Sequence, residues 1–444
     1  MITTREAFET RVAEGLSFSG ETIRGVSLDG FAGEGLDFSG SIWVEVRARG
    51  AKITASVWSG ARLERVDFQG ADLSRSACGG LDASSAEGAE ACDLRGAIFD
   101  ESLLERADFR GARLDGASLR SAMLERASFE RASAKGAVLA DSMLGSASFA
   151  RADFSGAVLD RAVLGAADLS FARLGGASLQ HVDLGACRLE GAQLAGVDLA
   201  RGVAIGVDFR SLGAPRDLTE AQVMGASFAG CDLRGVRSQR ARLGGVDLSG
   251  ADLSGADLSG ADLSGARLSG ARLSGAIFVE AHLQAADLTG AIVEATEIAG
   301  ASFAGACCAG ASFERTRLDG VVWVGAELTG ARFGREALRG VIFGGVRMAG
   351  AELDGFDLEG TNLEGADLSS ASLVGTRLVH AKLSHARLAG ADFTSAVFDG
   401  TELEGADLSN ACLAGADLRS SELRRCVLTG ADLRGALLGS EKDR

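Results

Sequence analysis

The chain has 444 residues, a formal net charge of −16, 62 glycines, one proline and no tyrosine. An acidic balance of this kind leaves no basic footprint for direct nucleic-acid binding, and no apolar run approaches the ~20 residues needed to cross a bilayer. Acidic side chains fall within Met1–Leu16, where a signal peptide would carry its apolar stretch, so a cytoplasmic protein is expected.

In chain order, residues 1–17 read as an N-terminal helical cap. Residues 3–14 are expected to be helical: Thr3 and Glu6 stand at capping-box spacing, Phe8 and Val12 share a face, and Gly15 supplies a stop. A segment of this kind would cover the apolar end of the repeats that follow.

From Phe18 to Leu438 nearly every fifth residue is large and apolar. Stepping by five from Leu218 to Leu438 visits 45 positions, of which 43 are Leu, Phe, Ile, Val, Met or Trp, with only Ser238 and Cys308 outside that set. The residue two before is usually Ala or Val and the residue two after is usually Gly, as in the A-D-L-S-G units at 246–275. Such an internal repeat takes precedence over any local motif. A five-residue step would spiral around an α-helix, and on a flat strand it would send every second leucine to solvent. The chain must therefore turn once per repeat, with the large residue and the small one two before it facing inward. Stacking the resulting coils lets each backbone N–H and C=O pair with a neighbouring coil. Phe109, Phe129 and Phe149 recur at twenty, as do Phe313 and Phe333 with Phe393 three coils further on, which predicts four sides per coil.

The first block, 18–78, is degenerate, with Gly33 and Ala48 at large positions and Trp43 and Trp58 compensating nearby, and it is expected to be the least regular part. Cys78 to Leu94 spans one residue more than three repeats, so 79–93 reads as a loop or bulged side. The second block runs over 94–209. Phe209 to Leu218 is one residue short of two repeats and contains Pro215, so 210–217 is a register break where a corner is rebuilt and the axis is expected to kink. The third block covers 218–438, and 439–444 is a charged tail. At ~4.8 Å per coil the whole would form a rod of roughly 100 Å.

The A(D/N)LxG units resemble those of the pentapeptide-repeat family, and the resemblance extends over more than nine-tenths of the chain. It implies an all-β fold: a right-handed quadrilateral β-helix, or β-solenoid, with a short N-terminal capping helix. It also implies a non-catalytic protein that presents a rigid surface to other proteins. Bacterial members of similar size and degenerate start resemble proteins encoded with type VI secretion components, which suggests an adaptor. Other relatives are acidic rods that mimic DNA and protect gyrase from quinolones or natural inhibitors, and several dimerise through their C-terminal coil.

The residues contain no catalytic constellation. His181, His282, His380 and His385 all fall in outward phases, and no Cys or Glu follows His380 and His385 at ligand spacing, so no metal or other cofactor is expected. Cys78 and Cys308 take large inward positions, while Cys92, Cys187, Cys231 and Cys426 take small ones, as buried hydrophobes of a reducing compartment would. Glycine-rich stretches such as 244–256 lack the Lys-Ser/Thr ending of a phosphate loop. Charge counts weigh against DNA mimicry, because duplex DNA carries a charge every ~1.7 Å while residues 94–217 hold 15 basic against 16 acidic side chains. Asp247, Arg267 and Asp287 should stack in alternation, with Asp252 against Arg272. Partner contacts are expected where uniform backbone pairing breaks. Those places are the loop (Asp82, Glu87, Glu90), the register break (Arg210, Pro215, Arg216, Asp217) and the uncovered last coil (Leu423, Leu428, Leu433, Leu438), the last also serving as the expected homodimer contact.

Overall fold

A computed structural model describes residues 1–84, 91–318, 320–334, 338–421 and 423–438. It divides into two units, Met1–Ala221 and Gln222–Arg444, each a β-solenoid built from square coils. In most quintets the large residue and the small residue two before it are buried, while the residue between them faces outward. Parallel bridges link residues twenty apart, such as Asp247 to Arg267 and Arg267 to Asp287, so four quintets make one coil.

One quintet shows how the wall is held. Leu248 N–H donates to Arg267 C=O at 2.7 Å, Arg267 N–H donates back to Val246 C=O at 2.8 Å, and Gly250 N–H donates to Ser269 C=O at 2.9 Å. Ala251 N–H closes the corner by donating to Leu248 C=O at 3.0 Å, with Gly250 left-handed at φ 64°. Inside, phenylalanines at the twenty-residue spacing stack: Phe109 on Phe129 and Phe129 on Phe149, each at 5.3 Å between ring centroids, and Phe313 on Phe333 at 5.6 Å. Hydroxyls in the small inward position are satisfied by the wall, as where Ser142 Oγ donates to Leu139 C=O at 2.6 Å.

The first unit opens with helix α1, Arg5–Ala13. Its N-cap is Thr4, whose side chain accepts from Ala7 N–H, and not Thr3 as the capping-box spacing suggests. Phe8 alone among the helix residues is buried, against Phe18 at 4.5 Å and Phe31 at 5.2 Å, while Val12 stays half-exposed. Ile2 adds a backbone rung beside Ile23, donating to Thr22 C=O at 2.7 Å.

The degenerate first block is the most strand-like part of the molecule, contrary to the expectation of irregularity. Five three-residue strands lie there: β1 (Thr22–Arg24), β2 (Ala32–Glu34), β3 (Ile42–Val44), β4 (Lys52–Thr54) and β5 (Arg62–Glu64). They pair in parallel as β1-β3-β5 and β2-β4. In three of the five, T-I-R, I-W-V and K-I-T carry β-branched and aromatic residues where later quintets have D-L-S, which favours a longer extended stretch, and A-G-E and R-L-E pair alongside them. Trp43 and Trp58 are fully buried with ring centroids 5.0 Å apart, while Phe31 and Leu36 take up the space at Gly33. Trp43 donates to Ser41 Oγ, whereas the Trp58 indole N–H has no partner.

Both breaks in register lie at one corner of the first unit's coil. Ala83, Phe109, Phe129, Phe149, Leu169, Leu189 and Phe209 follow one another along one side. Immediately after that side, Asp67 pairs with Asp93 and Asp72 with Ile98, a separation of 26 in place of 20. The insertion is thus six residues within a single corner step between Ala83 and Leu94, and not one residue spread over 79–93. Leu81 and Ala83 are buried wall residues, and Cys92 is buried again beyond the corner. At the same corner after Phe209, Asp198 pairs with Asp217 at a separation of 19. A tight turn closes there, with Leu212 and Gly213 N–H groups both donating to Phe209 C=O at 3.2 Å.

Gly213 has φ 94°, and a Cβ added to it would lie 2.9 Å from the backbone of Ala195. Gly213→Ala is therefore expected to lower stability by ~2 kcal/mol or more, combining left-handed strain with overlap against backbone that cannot yield. Gly250→Ala, left-handed but facing open space, should cost only ~1 kcal/mol. Urea midpoints of the two variants would show the difference, and equal midpoints would refute the packing argument.

Candidate protein-interaction surfaces

The chemistry-bearing residues are largely committed to holding the corners. In the D-L-S unit the aspartate is the outward residue of its side, and its carboxylate accepts from the backbone N–H two residues on: Asp247 from Ser249 at 3.1 Å, Asp257 from Ser259 at 3.0 Å and Asp407 from Ser409 at 3.0 Å. The serine hydroxyl donates to the same oxygen in Asp257 and Asp407, at 2.6 and 2.5 Å. Where arginine follows two residues after aspartate, the guanidinium folds back onto the carboxylate, as in Asp108–Arg110, Asp232–Arg234 and Asp432–Arg434. Other pairs run between coils: Asp247–Arg267 at 2.9 Å, Asp252–Arg272 at 3.9 Å, and Asp141–Arg161 at 2.6 Å. These contacts hold the carboxyls of Asp232, Asp247, Asp252 and Asp407 below their ordinary range. The hydrogen bond from Ser409 does so for Asp407, and the guanidinium of Arg234 brings Asp232 to about 2.

The thiols are quiet. All eight cysteines are unpaired with one another; Cys78 and Cys308 are fully buried and burial pushes their thiols up, while Cys187, half-buried, is pushed up to about 11. Cys307 faces outward, at 3.3 Å from Thr289 Oγ1. His181, His380 and His385 occupy left-handed corners. The imidazoles of His380 and His385 lie over Gly400 and Gly405, whose lack of Cβ makes room for them. No group of three or more His, Cys, Asp or Glu able to hold a metal is present among the described residues.

The residues expected at partner contacts are placed as follows. Asp82 sits in the wall, bridged to Arg62 and Asp108, and accepts from Ser84 N–H and Oγ at 3.0 and 2.6 Å. Glu87 and Glu90 lie outside the described residues. Arg210 is exposed and pairs with Asp208 at 2.5 Å; Arg216 is exposed 3.9 Å from Asp198. Pro215 and Asp217 are buried, Asp217 accepting from Thr219 N–H at 2.8 Å, so both belong to the wall and present no contact surface. Asp82 and Arg210 fall on the same side and corner, but six coil spacings, roughly 30 Å, apart. They form no single site.

In the second unit, Leu423, Leu428, Leu433 and Leu438 do come together. With Leu408, Leu413 and Leu418 beneath them they line a depression of about 340 Å³. The lower three are fully buried, whereas the upper four remain half-exposed, because no described coil lies beyond them.

One surface went unread in the sequence. On the first unit, Leu103, Met123, Met143 and Val163 are bridged successively and project outward from one side, each between 39% and 47% exposed. The signal was available at the position just before the large residue, at spacing twenty, once the number of sides was known.

This architecture is that of a square β-solenoid whose wall is made of five-residue sides. The sequence matches the Pentapeptide repeats family (8 copies) at 44–76, in overlapping segments spanning 90–185, at 221–294 in overlapping segments, and from 296 to 439. The chain belongs to the pentapeptide repeat family. Among solved structures it is similar to HetL, a pentapeptide repeat protein involved in heterocyst differentiation regulation from the cyanobacterium Nostoc sp. strain PCC 7120, at 27% identity over 61% of this chain and 87% of that one, with a TM-score of 0.15. It is also similar to QnrB1, a plasmid-mediated fluoroquinolone resistance protein, at 19% identity over 52% of this chain and 91% of that one, TM-score 0.25. A pentapeptide repeat protein of the Arabidopsis thaliana thylakoid lumen is 30% identical over 23% of this chain and 64% of its own, TM-score 0.16. No curated protein matches the sequence.

The depressed carboxyl pKa values carry a pH consequence. A folded-state pKa below the ordinary 3.8 of Asp247, Asp252 and Asp407 contributes stability that is present above that value and lost as pH falls through the folded one. The thermal midpoint is expected to hold down to about pH 4 and to fall steeply toward about pH 2, with the fall shallower in Asp252→Asn. A midpoint flat across that interval would show that the corner carboxylates contribute nothing.

Proposed function

We propose that this pentapeptide-repeat protein is a non-catalytic scaffold that binds a protein partner through the open last coil of its second unit. The observation that carries this reading is the half-exposed leucine set of Leu423, Leu428, Leu433 and Leu438, continuous with the buried core. A contiguous half-exposed apolar surface invites a covering element. The partner fits as an apolar segment that supplies one more layer, whether from another protein or from a second copy of the chain. The reading extends to an adaptor in a bacterial secretion assembly working in the cytoplasm, an environment in which eight unpaired thiols persist.

A second reading, a DNA mimic acting on gyrase, is favoured by the net charge of −16 and by the six-residue insertion at one corner. It is weaker because so many carboxylates are held by serines, backbone N–H groups and arginines of the wall itself, where they offer little free negative potential.

Leu428→Asp with Leu433→Asp is expected to weaken partner capture from the native cytoplasm at least ~10-fold, while shifting the thermal midpoint by only a few degrees because both side chains are already half-exposed. Quantitative pull-down measures this, and undiminished capture overturns the end-binding reading. A second copy acting as the cover would register as a dimer that the same pair of substitutions dissolves. In a supercoiling assay with gyrase and a quinolone, the scaffold reading expects no rescue at micromolar protein. Rescue that disappears on deletion of 85–90 would establish the mimic instead.

A further inference from the structure

The outward ladder belongs wholly to the first unit and carries its own pattern. Bridges run Val57 to Ala77, Ala77 to Leu103, Leu103 to Met123, Met123 to Met143 and Met143 to Val163, so six successive rungs on one side are apolar. At ~4.8 Å per rung this is an exposed apolar strip of some 25 Å, on a wall whose other outward positions are mostly Asp, Arg and Ser.

The two edges of the last four rungs differ along their length. On one edge, Glu105–Arg106 and Glu125–Arg126 flank Leu103 and Met123, whereas Gly145–Ser146 and Gly165–Ala166 flank Met143 and Val163. Glu105, Arg106, Glu125, Arg126, Gly145 and Ser146 line a groove of about 460 Å³. Among the described residues no ion pair engages these two glutamates or two arginines, and Glu125 Oε2 is buried without a hydrogen-bond partner. On the opposite edge the corners read Glu101, Ser121, Asp141 and Arg161, in left-handed conformation at φ 58°, 52°, 62° and 59°.

We infer that this face is the contact between two copies of the chain, packed antiparallel about a two-fold axis that crosses the ladder between Met123 and Met143. Under that symmetry Met123 of one copy meets Met143 of the other, and Leu103 meets Val163, so these four rungs cover one another. The bulky edge of Glu105–Arg106 and Glu125–Arg126 falls on the bare edge of Gly165–Ala166 and Gly145–Ser146. Arg126 of one copy then enters the groove of the other and supplies Glu125 Oε2 with its missing donor. On the far edge Glu101 faces Arg161, joining the Asp141–Arg161 pair in a three-charge cluster. A self-complementary patch of this kind is what an isologous two-fold interface requires. Methionine suits its centre, since an unbranched thioether adjusts to a facing thioether without a preformed pocket. An unrelated partner has no reason to match the charged half of one edge with the glycine half of the same edge; a second copy turned end for end does so by construction.

The test is sedimentation velocity of the full chain over about 1–200 μM, a range that brackets a modest apolar interface. A concentration-dependent dimer is expected. Met123→Asp with Met143→Asp should raise its dissociation constant at least ~10-fold with unchanged circular dichroism, both residues pointing out of the wall. Glu101→Arg alone and Arg161→Glu alone should each weaken the dimer, and the two together should restore it, an outcome that a merely destabilised fold would not give. A chain that stays monomeric at the top of the range overturns the proposal. So does a dimer that survives the paired methionine substitutions, and so does one that only Leu428→Asp with Leu433→Asp dissolves, which would assign association to the last coil of the second unit.

Discussion

Along its sides each coil satisfies its backbone through the coil above and below it, at a separation of twenty. Leu248 donates upward to Arg267 C=O, Arg267 donates back to Val246 C=O, and the same exchange repeats from quintet to quintet. No helix or local sheet supplies an alternative partner, so every departure from twenty must be repaired within one coil or leave polar groups unpaired. This explains why a six-residue insertion and a one-residue deletion are both confined to a corner: sides cannot absorb a changed count, because one residue of slip would turn the inward leucine outward. The bridges resume at once beyond each break, Asp93 with Arg113 after the insertion and Asp198 with Asp217 across the deletion.

The same constraint decides where charge goes. The corner leaves a backbone N–H two residues after the outward position, and aspartate there accepts from it, as Asp257 does from Ser259. Arginine at the serine position turns the same geometry into an ion pair, as Arg234 does with Asp232. The acidity of the chain is thus in large part a by-product of corner chemistry, and net charge is a poor guide to partner choice in this architecture. Exposed pairs of this kind stabilise only modestly one by one; repeated at corner after corner, they bias the chain toward one register.

Period, number of sides and inward phases are legible in the sequence because one rule repeats many times, so that the stacking of Phe109, Phe129 and Phe149 follows from their spacing alone. The local exceptions were harder. A capping box beginning at Thr3 competed with Thr4, one residue away and equally able to accept from a helix N–H, and the packing of Phe8 against Phe18 and Phe31 chose between them. The first block departs from A-D-L-S-G, yet it holds five paired three-residue strands, three of them rich in β-branched and aromatic residues. Length arithmetic from Cys78 to Leu94 gave one surplus residue over three sides, whereas the wall continues through Ala83 and puts six surplus residues in one corner. The two solutions have the same residue count, and only the inter-coil partners of Asp67 and Asp82 separate them.

Surfaces were the least legible, for a reason that follows from the geometry. Inward positions are read along the chain at spacing five, but outward neighbours are read across coils at spacing twenty, and after an insertion at twenty-six. Leu103, Met123, Met143 and Val163 are isolated apolar residues in a linear reading, each followed by a leucine that accounts for the hydrophobicity of its quintet. Only when the fold supplies the second dimension do they become a continuous strip, with glutamate and arginine on half of one edge and glycine on the other half. Pro215 and Asp217 show the converse: conspicuous along the chain, they are buried in the wall once the coil closes. In a solenoid, then, rarity in the linear sequence marks places where the coil is repaired, and recurrence at the coil period marks places where it can be touched.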